Sequence, residues 1–147
     1  MSQANRALSA QEEQFIENLG MLIADGGLQR SVGRVLGLLL LCEPRHQSAD
    51  DVRHALQLST GSVSSAMTLL TKIQLVERIT FPGDRRFYYQ MHPDCWQRNL
   101  QGRILQAQRG IAIADEGLAL HGDNDRLHGM RELYDKSIIA MDAIRLS

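Results

Sequence analysis

The stretch that decides the fold of this chain reads Leu58-Ser59-Thr60-Gly61-Ser62-Val63-Ser64-Ser65-Ala66-Met67-Thr68-Leu69-Leu70. A hydroxyl-bearing residue, either Ser59 or Thr60, stands at its start, where such side chains cap helices. Apolar residues then recur at helical spacing, so the stretch predicts a helix that runs to about Lys72. The apolar stripe of this helix consists of Val63, Ala66, Met67 and Leu70.

The face opposite this stripe carries small, hydroxyl-bearing or cationic residues and no carboxylate. Such a face can approach a DNA duplex closely, and its hydroxyl and ammonium groups can bind phosphates and base edges. The solvated face of an ordinary helix is the alternative interpretation. The candidate DNA-binding residues of this helix are Thr60, Gly61, Ser62, Ser64, Ser65, Thr68 and Lys72.

Two extended segments follow the helix and enclose a basic turn. Residues 76–80 alternate in character, and Phe87-Tyr88-Tyr89-Gln90-Met91 is rich in residues that favour strands. The turn between them, Phe81-Pro82-Gly83-Asp84-Arg85-Arg86, predicts a β-hairpin with a basic tip. Because narrow minor grooves attract inserted arginines, Arg85 and Arg86 are candidate DNA contacts. A solubilising surface turn is the alternative.

Three further helices are predicted upstream. Ser9-Ala10-Gln11-Glu12 is a capping box that opens the first helix, which ends at Asp25-Gly26-Gly27. The second helix runs from about Ser31 to Cys42, and its segment 38–41 is apolar on every side, so it should be the most buried. A short third helix begins near Ser48. With the tight connection and the basic hairpin, these helices predict a winged helix-turn-helix.

The last third of the chain predicts two long amphipathic helices joined by a polar loop. Apolar residues follow a near-heptad spacing over 96–118, His121-Gly122-Asp123-Asn124 breaks it, and a second stripe follows. Because the preceding domain is too small to cover both stripes, we expect them to form a homodimer interface with the first helix. Gly102, Gly110 and Gly117 weigh against this, since each lowers helix propensity by about 1 kcal/mol. The candidate dimerisation residues are Phe15, Leu19, Leu22, Leu100, Ile104, Ile111, Leu118, Leu127, Met130, Ile138, Met141 and Ile144.

The predicted fold class is therefore mainly α (α+β), with a winged helix-turn-helix core, a β-hairpin wing and a long C-terminal helical hairpin. Residues 1–26 are expected to form an N-terminal helix that contributes to the dimer interface. Residues 27–93 are expected to form the DNA-binding domain. Residues 94–147 are expected to form the helical dimerisation region.

The composition of the chain is that of a globular protein without a membrane span. The 147 residues are 44% hydrophobic and carry sixteen Lys and Arg against seventeen Asp and Glu, as in an ordinary globular domain. The longest apolar run is far below the ~20 residues of a membrane span, and the N-terminus lacks the apolar segment of a signal peptide. With two Cys we expect a cytoplasmic protein without a disulfide scaffold and with no membrane partner. Basic residues outnumber acidic ones between Pro44 and Arg103, a mild bias toward nucleic acid.

Motifs for catalysis and cofactor binding are missing from the sequence. It contains no nucleophile elbow, no P-loop and no dinucleotide fingerprint, so we predict neither an enzyme nor a bound cofactor. The five His and two Cys lack the close pairing of a structural zinc site, so no metal is predicted. Cys42 follows the most apolar helix and is interpreted as a core residue and not a redox sensor.

Three segments resemble the GbsR branch of the MarR-like winged helix-turn-helix transcriptional regulators: residues 27–39, residues 58–70 and Gly83-Asp84-Arg85-Arg86-Phe87-Tyr88-Tyr89. In that family the second segment is the recognition helix. The third is the wing, where an Asp-x-Arg pattern matches Asp84 and Arg86. The aromatic strand after the wing is similar to the GbsR branch. The resemblance implies an obligate homodimer that binds a pseudo-palindromic operator.

We therefore predict a sequence-specific, DNA-binding transcriptional regulator, a repressor that binds double-stranded DNA as a homodimer. Control by a small-molecule effector of unknown identity is left open. The alternative is a winged-helix module that binds protein and not DNA, since folds of this kind are reused. Such a module would carry apolar residues at Ser64, Ser65 and Thr68, and this chain does not.

Overall fold

The computed structural model describes residues 7–147, so residues 1–6 of the predicted N-terminal region lie outside the described residues. Two compact units divide the chain, one ending at Cys95 and the other beginning at Trp96. The helices and strands in chain order are α1 Ala10–Asp25, α2 Arg30–Leu41, β1 Gln47–Ser48, α3 Ala49–Leu56, α4 Thr60–Lys72, β2 Val76–Ile79, β3 Tyr88–Met91, α5 Cys95–His121 and α6 Asp125–Leu146.

Hydroxyl side chains begin three of the four helices in the first unit. Ser9 and Glu12 form the predicted capping box, in which each side chain accepts a 3.0 Å hydrogen bond from the other residue's backbone N–H. Ser48 and Asp51 form a second capping box at α3. At α4 the cap is Ser59, whose hydroxyl accepts a hydrogen bond from the backbone N–H of Ser62 at 3.1 Å. This contact decides between the two cap residues that the sequence allowed.

Helix α2 lies at the centre of the first unit. Its side chains from Val32 to Leu39 are largely buried, together with Ile16 of α1 and the apolar stripe of α4. The expectation that all of residues 38–41 would be buried was wrong at Leu40, which is 37% exposed. Leu40 lies near the C-terminal end of α2, beyond the run of buried residues that ends at Leu39.

Helices α1 and α2 pack with their backbones in close contact. A Cβ atom added at Gly33 would lie 2.6 Å from the Cα atom of Gly20 and from the carbonyl oxygen of Leu19. One added at Gly37 would lie 3.1 Å from the Cα atom of Ile16. Only glycine therefore fits at Gly33, because any side chain there would force the two helices apart.

The sheet is antiparallel and three-stranded, with the order β1-β3-β2. Strands β2 and β3 form the predicted hairpin, in which Ile79 pairs with Tyr88 and Glu77 with Gln90. Strand β1 is an addition to the prediction: Ser48 pairs with Tyr88 on the other side of β3. Its two residues, Gln47 and Ser48, are both polar and both buried. The strand therefore shows neither the alternation of apolar and polar residues nor the β-branched residues from which strands are predicted.

The second unit contains α6 and α5 from Trp96 onward, packed against each other as the predicted helical hairpin. Asn124 caps α6 by accepting hydrogen bonds from the backbone N–H groups of Arg126 and Leu127. Arg131 of α6 binds Asp115 of α5 at 2.7 Å. Within residues 7–147, no helix has both the length and the apolar character that a membrane span requires.

The glycines of α5 receive side chains of α6. A Cβ atom at Gly110 would lie 2.5–2.8 Å from ring atoms of Tyr134, and one at Gly117 would lie 2.9 Å from Leu127. These two glycines therefore allow close packing of the hairpin, which offsets their low helix propensity. At Gly102 an added Cβ atom would meet nothing within 4 Å.

Candidate nucleic-acid interface

Helix α4 presents the predicted face to solvent. Its apolar stripe is buried, because Val63, Ala66, Met67 and Leu70 pack into the core of the first unit. On the other side, the residues that are exposed are Thr60, Gly61, Ser64, Ser65, Thr68 and Lys72. No acidic residue stands in the first turn of α4, so nothing on the helix offsets the positive end of its dipole. The face is polar and free of carboxylates.

Ser62 has a structural contact that the sequence did not indicate. It is half-buried, and its hydroxyl oxygen accepts a 2.9 Å hydrogen bond from the hydroxyl group of Ser59. Its backbone N–H donates back to the same Ser59 oxygen. Of the predicted α4 residues, Ser62 is therefore the one most engaged in closing the turn between α3 and α4. Gly61 lies beside it on open surface, with nothing within 4 Å of an added Cβ atom.

The tip of the hairpin is organised around the carboxylate of Asp84. Its Oδ1 atom accepts a 2.9 Å hydrogen bond from the backbone N–H of Arg86, and its Oδ2 atom lies 3.2 Å from the Arg86 guanidinium. The guanidinium also lies over the ring of Tyr88, 5.1 Å from its centroid. Hydrogen bonds from Arg86 and Tyr88 lower the pKa of the Asp84 carboxyl group well below its ordinary value. Asp84 therefore stays charged at neutral pH and holds the turn closed.

The two wing arginines have different surroundings. The sequence suggested that both guanidinium groups project freely from the tip, and both side chains are exposed. Arg86, however, is fixed by Asp84 and Tyr88. In the described part of the chain, Arg85 makes no ion pair. The tip of the hairpin thus offers one cation held by Asp84 and Tyr88 and a second, Arg85, that makes no ion pair within the described residues.

A third cation on the hairpin, Arg78, was not among the predicted site residues. It is exposed on β2, and its guanidinium stacks on the half-exposed ring of Phe87 at 4.1 Å. The alternation of residues 76–80 gave no signal for it, since it grouped Arg78 with Val76, which is buried. The excess of basic residues between Pro44 and Arg103, of which Arg78 is one, was the available signal. Helix α4 and the hairpin together present four cations: Lys72, Arg78, Arg85 and Arg86.

Comparison with known proteins shows what kind of protein carries this arrangement. No protein-family model matches the chain. Over 134 aligned residues, covering 86% of this chain and 81% of the relative, it is 34% identical to the HTH-type transcriptional regulator MmpR5 of Mycobacterium tuberculosis. The chain belongs to the MarR-like family of helix-turn-helix transcriptional regulators. The crystal structure of a transcriptional regulator matches it with a TM-score of 0.83 and 30% identity, over 92% of this chain and 95% of that one.

Membership of the MarR-like family makes the chain a DNA-binding transcriptional regulator and not an enzyme, as predicted from α4 and the wing. The mainly helical fold with its small antiparallel sheet confirms the predicted fold class. The alternative of a winged-helix module that binds only protein loses its support, because a relative that aligns over most of this chain is a transcriptional regulator.

The residues predicted to form a homodimer of this MarR-like regulator differ widely in exposure. Phe15, Leu22 and Ile144 are exposed, the last two at 64% and 62%. Ile104 is only 3% exposed and is therefore already covered within one chain. The half-buried members are Leu19, Leu100, Ile111, Leu118, Leu127, Met130, Ile138 and Met141. Further large apolar residues exposed on the hairpin are Leu133, which the second apolar stripe includes, and Leu105, Ile113, Leu120, Ile139 and Leu146, which were not predicted.

Proposed function

We propose that this MarR-like regulator represses transcription by binding DNA through α4 and the β-hairpin wing. The observation that supports this most directly is the exposed α4 face without a carboxylate, which is followed in the sequence by a hairpin with exposed arginines. In this proposal α4 enters the major groove and the wing reaches the neighbouring minor groove. The contacting residues are Thr60, Gly61, Ser62, Ser64, Ser65, Thr68, Lys72, Arg85 and Arg86, and we add Arg78.

The chemistry of α4 bears on how this regulator would recognise its operator. Its exposed face has no Arg, Asn or Gln, the side chains that make bidentate contacts to base edges. Single hydroxyl groups distinguish one base pair from another less well than such bidentate contacts do. We infer that much of the specificity comes from the shape and deformability of the DNA, above all the width of the minor groove at the wing.

We further propose that the regulator acts as a homodimer. A hairpin of two helices buries one face of each helix, and the remaining faces here carry large apolar side chains in water. Burying one such side chain contributes about 1.5–3 kcal/mol, so covering several by a second copy is strongly favourable. A two-fold dimer would set the two α4 helices about one turn of DNA, ~34 Å, or a multiple of it apart. The exposed Phe15 and Leu22 of α1 supply further apolar surface.

The finer assignments rest on the sequence. We assign the chain to the GbsR branch on the three resembling segments, and we divide it into residues 1–26, 27–93 and 94–147 as predicted. A regulator of transcription acts where the DNA is, so we propose a cytoplasmic location. A small-molecule effector, if the protein has one, would act by changing the distance between the two α4 helices.

A titration with the promoter fragment upstream of the protein's own gene tests DNA binding by α4. We expect tight binding at ~50 mM salt that weakens steeply as salt rises. Ser65→Glu puts a carboxylate on the α4 face and should lower the affinity by at least about tenfold, since a like charge would face the phosphates. Gln101→Glu, an exposed change on α5, is the matched control and should have no effect. Equal affinities for the two variants would contradict the assignment of α4.

Sedimentation tests the dimer. Charged residues at Ile111 and Ile138 should give monomers or insoluble protein and should abolish operator binding. Ile113→Glu with Ile139→Glu is the matched pair, because these residues are exposed in the single chain and the change does not disturb the packing of the hairpin. A soluble protein that stays dimeric with either pair of changes would place the interface elsewhere.

A further inference from the structure

One arginine outside the DNA-binding face connects two helices to the turn before α4. Arg34 lies on α2, and its side chain is only 24% exposed. Its Nε atom donates a 2.8 Å hydrogen bond to Oε1 of Glu17 on α1. Its Nη2 atom donates a 3.1 Å hydrogen bond to the backbone carbonyl oxygen of Leu56. The guanidinium therefore joins three helices of the first unit.

The carbonyl group that Arg34 binds ends α3. Leu56 is the last residue of that helix, and the last carbonyl groups of a helix have no partner within it. A cation is also favoured at this end of the helix dipole. The next residue, Gln57, has a left-handed backbone with φ of 53°, and Ser59 then caps α4. Arg34 thus binds the carbonyl group from which the turn of the helix-turn-helix begins.

Residues of helix α1 hold the side chain of Arg34 in place. Glu17 binds Arg30 as well as Arg34, so its carboxylate is held from two sides. A Cβ atom at Gly20 would lie 3.0 Å from Cγ of Arg34 and 3.2 Å from Cγ of Arg30, so the absence of a side chain there leaves room for both arginine stems. The close contact between Gly20 and Gly33 fixes the distance between α1 and α2.

The state of charge of Glu17 suits this role. Partial burial opposes ionisation of its carboxyl group, but the hydrogen bond from Arg30 and the charges of both arginines outweigh it and lower the pKa. Glu17 is therefore negatively charged at neutral pH. Lysine could not replace Arg34, because an ammonium group on one stem does not offer the planar pair of donors that reaches both partners.

We propose that Arg34 is a positioning residue for DNA binding: it ties α1 to the turn between α3 and α4 and so fixes the orientation in which α4 meets the DNA. Arg34 itself touches no DNA. This proposal rests on the assignment of α4 as the helix that contacts DNA.

The test compares Arg34→Gln and Arg34→Lys with the matched control Arg30→Gln. Arg30 also binds Glu17, but the hydrogen bond to the carbonyl oxygen of Leu56 comes from Arg34. Affinities for the promoter fragment and for unrelated DNA are measured over a series of salt concentrations. We expect both Arg34 variants to lose about tenfold or more for the promoter fragment, as when a charged hydrogen bond is broken, and less for unrelated DNA. For unrelated DNA the slope against salt should stay unchanged, because Arg34 itself makes no phosphate contact.

Two results would overturn the proposal. An unchanged ratio of promoter to unrelated affinity would mean that α4 keeps its orientation without Arg34. A salt slope for unrelated DNA that is lower by about 0.9 would mean that Arg34 contacts a phosphate directly. Arg34→Lys keeps the charge, so it serves where Arg34→Gln fails to fold.

A second measurement needs no DNA and separates this proposal from the assignment of α4. The backbone N–H of Leu58 donates a 3.1 Å hydrogen bond to the carbonyl oxygen of Arg53 across the turn. We expect its amide hydrogen to exchange several-fold faster in Arg34→Gln than in Arg30→Gln, since the turn loses its anchor. Equal exchange rates in these two variants would overturn the proposal, whatever the DNA titrations give.

Discussion

The phenolic hydroxyl group of Tyr88 donates a 2.5 Å hydrogen bond to Oδ2 of Asp84. This contact joins the first buried residue of β3 to the tip of the wing, where Arg86 binds the same carboxylate. Tyr88 is also in edge-to-face contact with His46 and Phe81, at 5.2 Å from each ring centroid. The wing arginine is thus connected through one carboxylate to an aromatic cluster in the domain.

Tyr88→Phe should loosen the wing without unfolding the domain. The ring stays in its cluster, but Asp84 loses one of the groups that fix it, so Arg86 samples more orientations. We expect DNA affinity to fall by a few-fold, with little change in the thermal unfolding midpoint. Tyr89→Phe is the matched control, because the Tyr89 hydroxyl makes no hydrogen bond within residues 7–147. Equal affinities for the two variants would contradict a role for the contact.

The same contact should be visible in an alkaline titration followed by ultraviolet absorbance. The hydrogen bond to Asp84 raises the pKa of the Tyr88 hydroxyl group, because ionisation would set a phenolate against a carboxylate. The Tyr88 hydroxyl group should therefore ionise at higher pH than an ordinary tyrosine. In Asp84→Asn this difference should vanish. A late-ionising tyrosine that persists in Asp84→Asn would point to another cause.

Removing one wing arginine should change the salt dependence of DNA binding. Arg86→Ala should weaken binding to all sequences and lower the slope of log affinity against log salt by about one phosphate equivalent. It also leaves the Asp84 carboxylate unpaired at the tip, so we expect a larger loss than for Arg85→Ala. Arg145→Ala, near the end of α6, is the control and should leave the slope as it is. A slope that Arg86→Ala leaves unchanged would remove the wing from the interface.

Substituting alanine at two glycines of α5 should change the free energy of unfolding in opposite directions. Gly110→Ala sets a Cβ atom against the ring of Tyr134, and overpacking of this kind costs about 1–3 kcal/mol of the free energy of unfolding. Gly102→Ala meets open space and should stabilise the protein by about 0.5–1 kcal/mol through helix propensity. Urea denaturation measures both. A stabilising Gly110→Ala would mean that the α5–α6 packing is looser than described.

Cys42 should react slowly with alkylating reagents in the native protein. Burial raises the pKa of its thiol group to about 11, so at pH 8 almost none of it is the reactive thiolate. The thiol also faces the carbonyl oxygen of Arg45 at 3.4 Å, an acceptor that suits the protonated form. The measurement is the rate of iodoacetamide labelling, located by mass spectrometry. Denatured protein is the control and should label at the rate of a free thiol; equally fast native labelling would contradict the interpretation of Cys42 as inert.

The sequence predicted the helices and the β-hairpin because each has a local signal. Capping residues, apolar spacing and Pro-Gly turn chemistry lie within a few neighbouring positions, as at Ser9, Ser59 and Gly83. Strand β1 escaped prediction because its pairing with Tyr88 is made across forty residues of chain, from Ser48. The hydrogen bond from Arg34 to Leu56 could not be predicted from the sequence for the same reason, since it joins α2 to a backbone atom of α3.

The exposure of the predicted dimerisation residues could not be predicted from the sequence, for a different reason. Spacing identifies an apolar stripe but not what covers it, so Ile104 and Ile144 could not be told apart in the sequence. The structure gives Ile104 a buried environment and leaves Ile144 in water. At Gly110 the sequence was misleading in another way. Its low helix propensity weighed against a helix, whereas in the structure the missing side chain makes room for the ring of Tyr134.

Ser48 belongs to two elements at once: its backbone pairs with Tyr88 of the wing, and its hydroxyl group caps α3. A movement of the β2–β3 hairpin would therefore also move the start of α3, the helix that precedes α4. In the proposed complex with the operator, the DNA segment bound by α4 and the DNA segment bound by the wing must then keep a fixed separation within each half-site. An operator could vary its spacer between half-sites, but inserting a single base pair within one half-site, a shift of ~3.4 Å, would leave either α4 or the wing out of register.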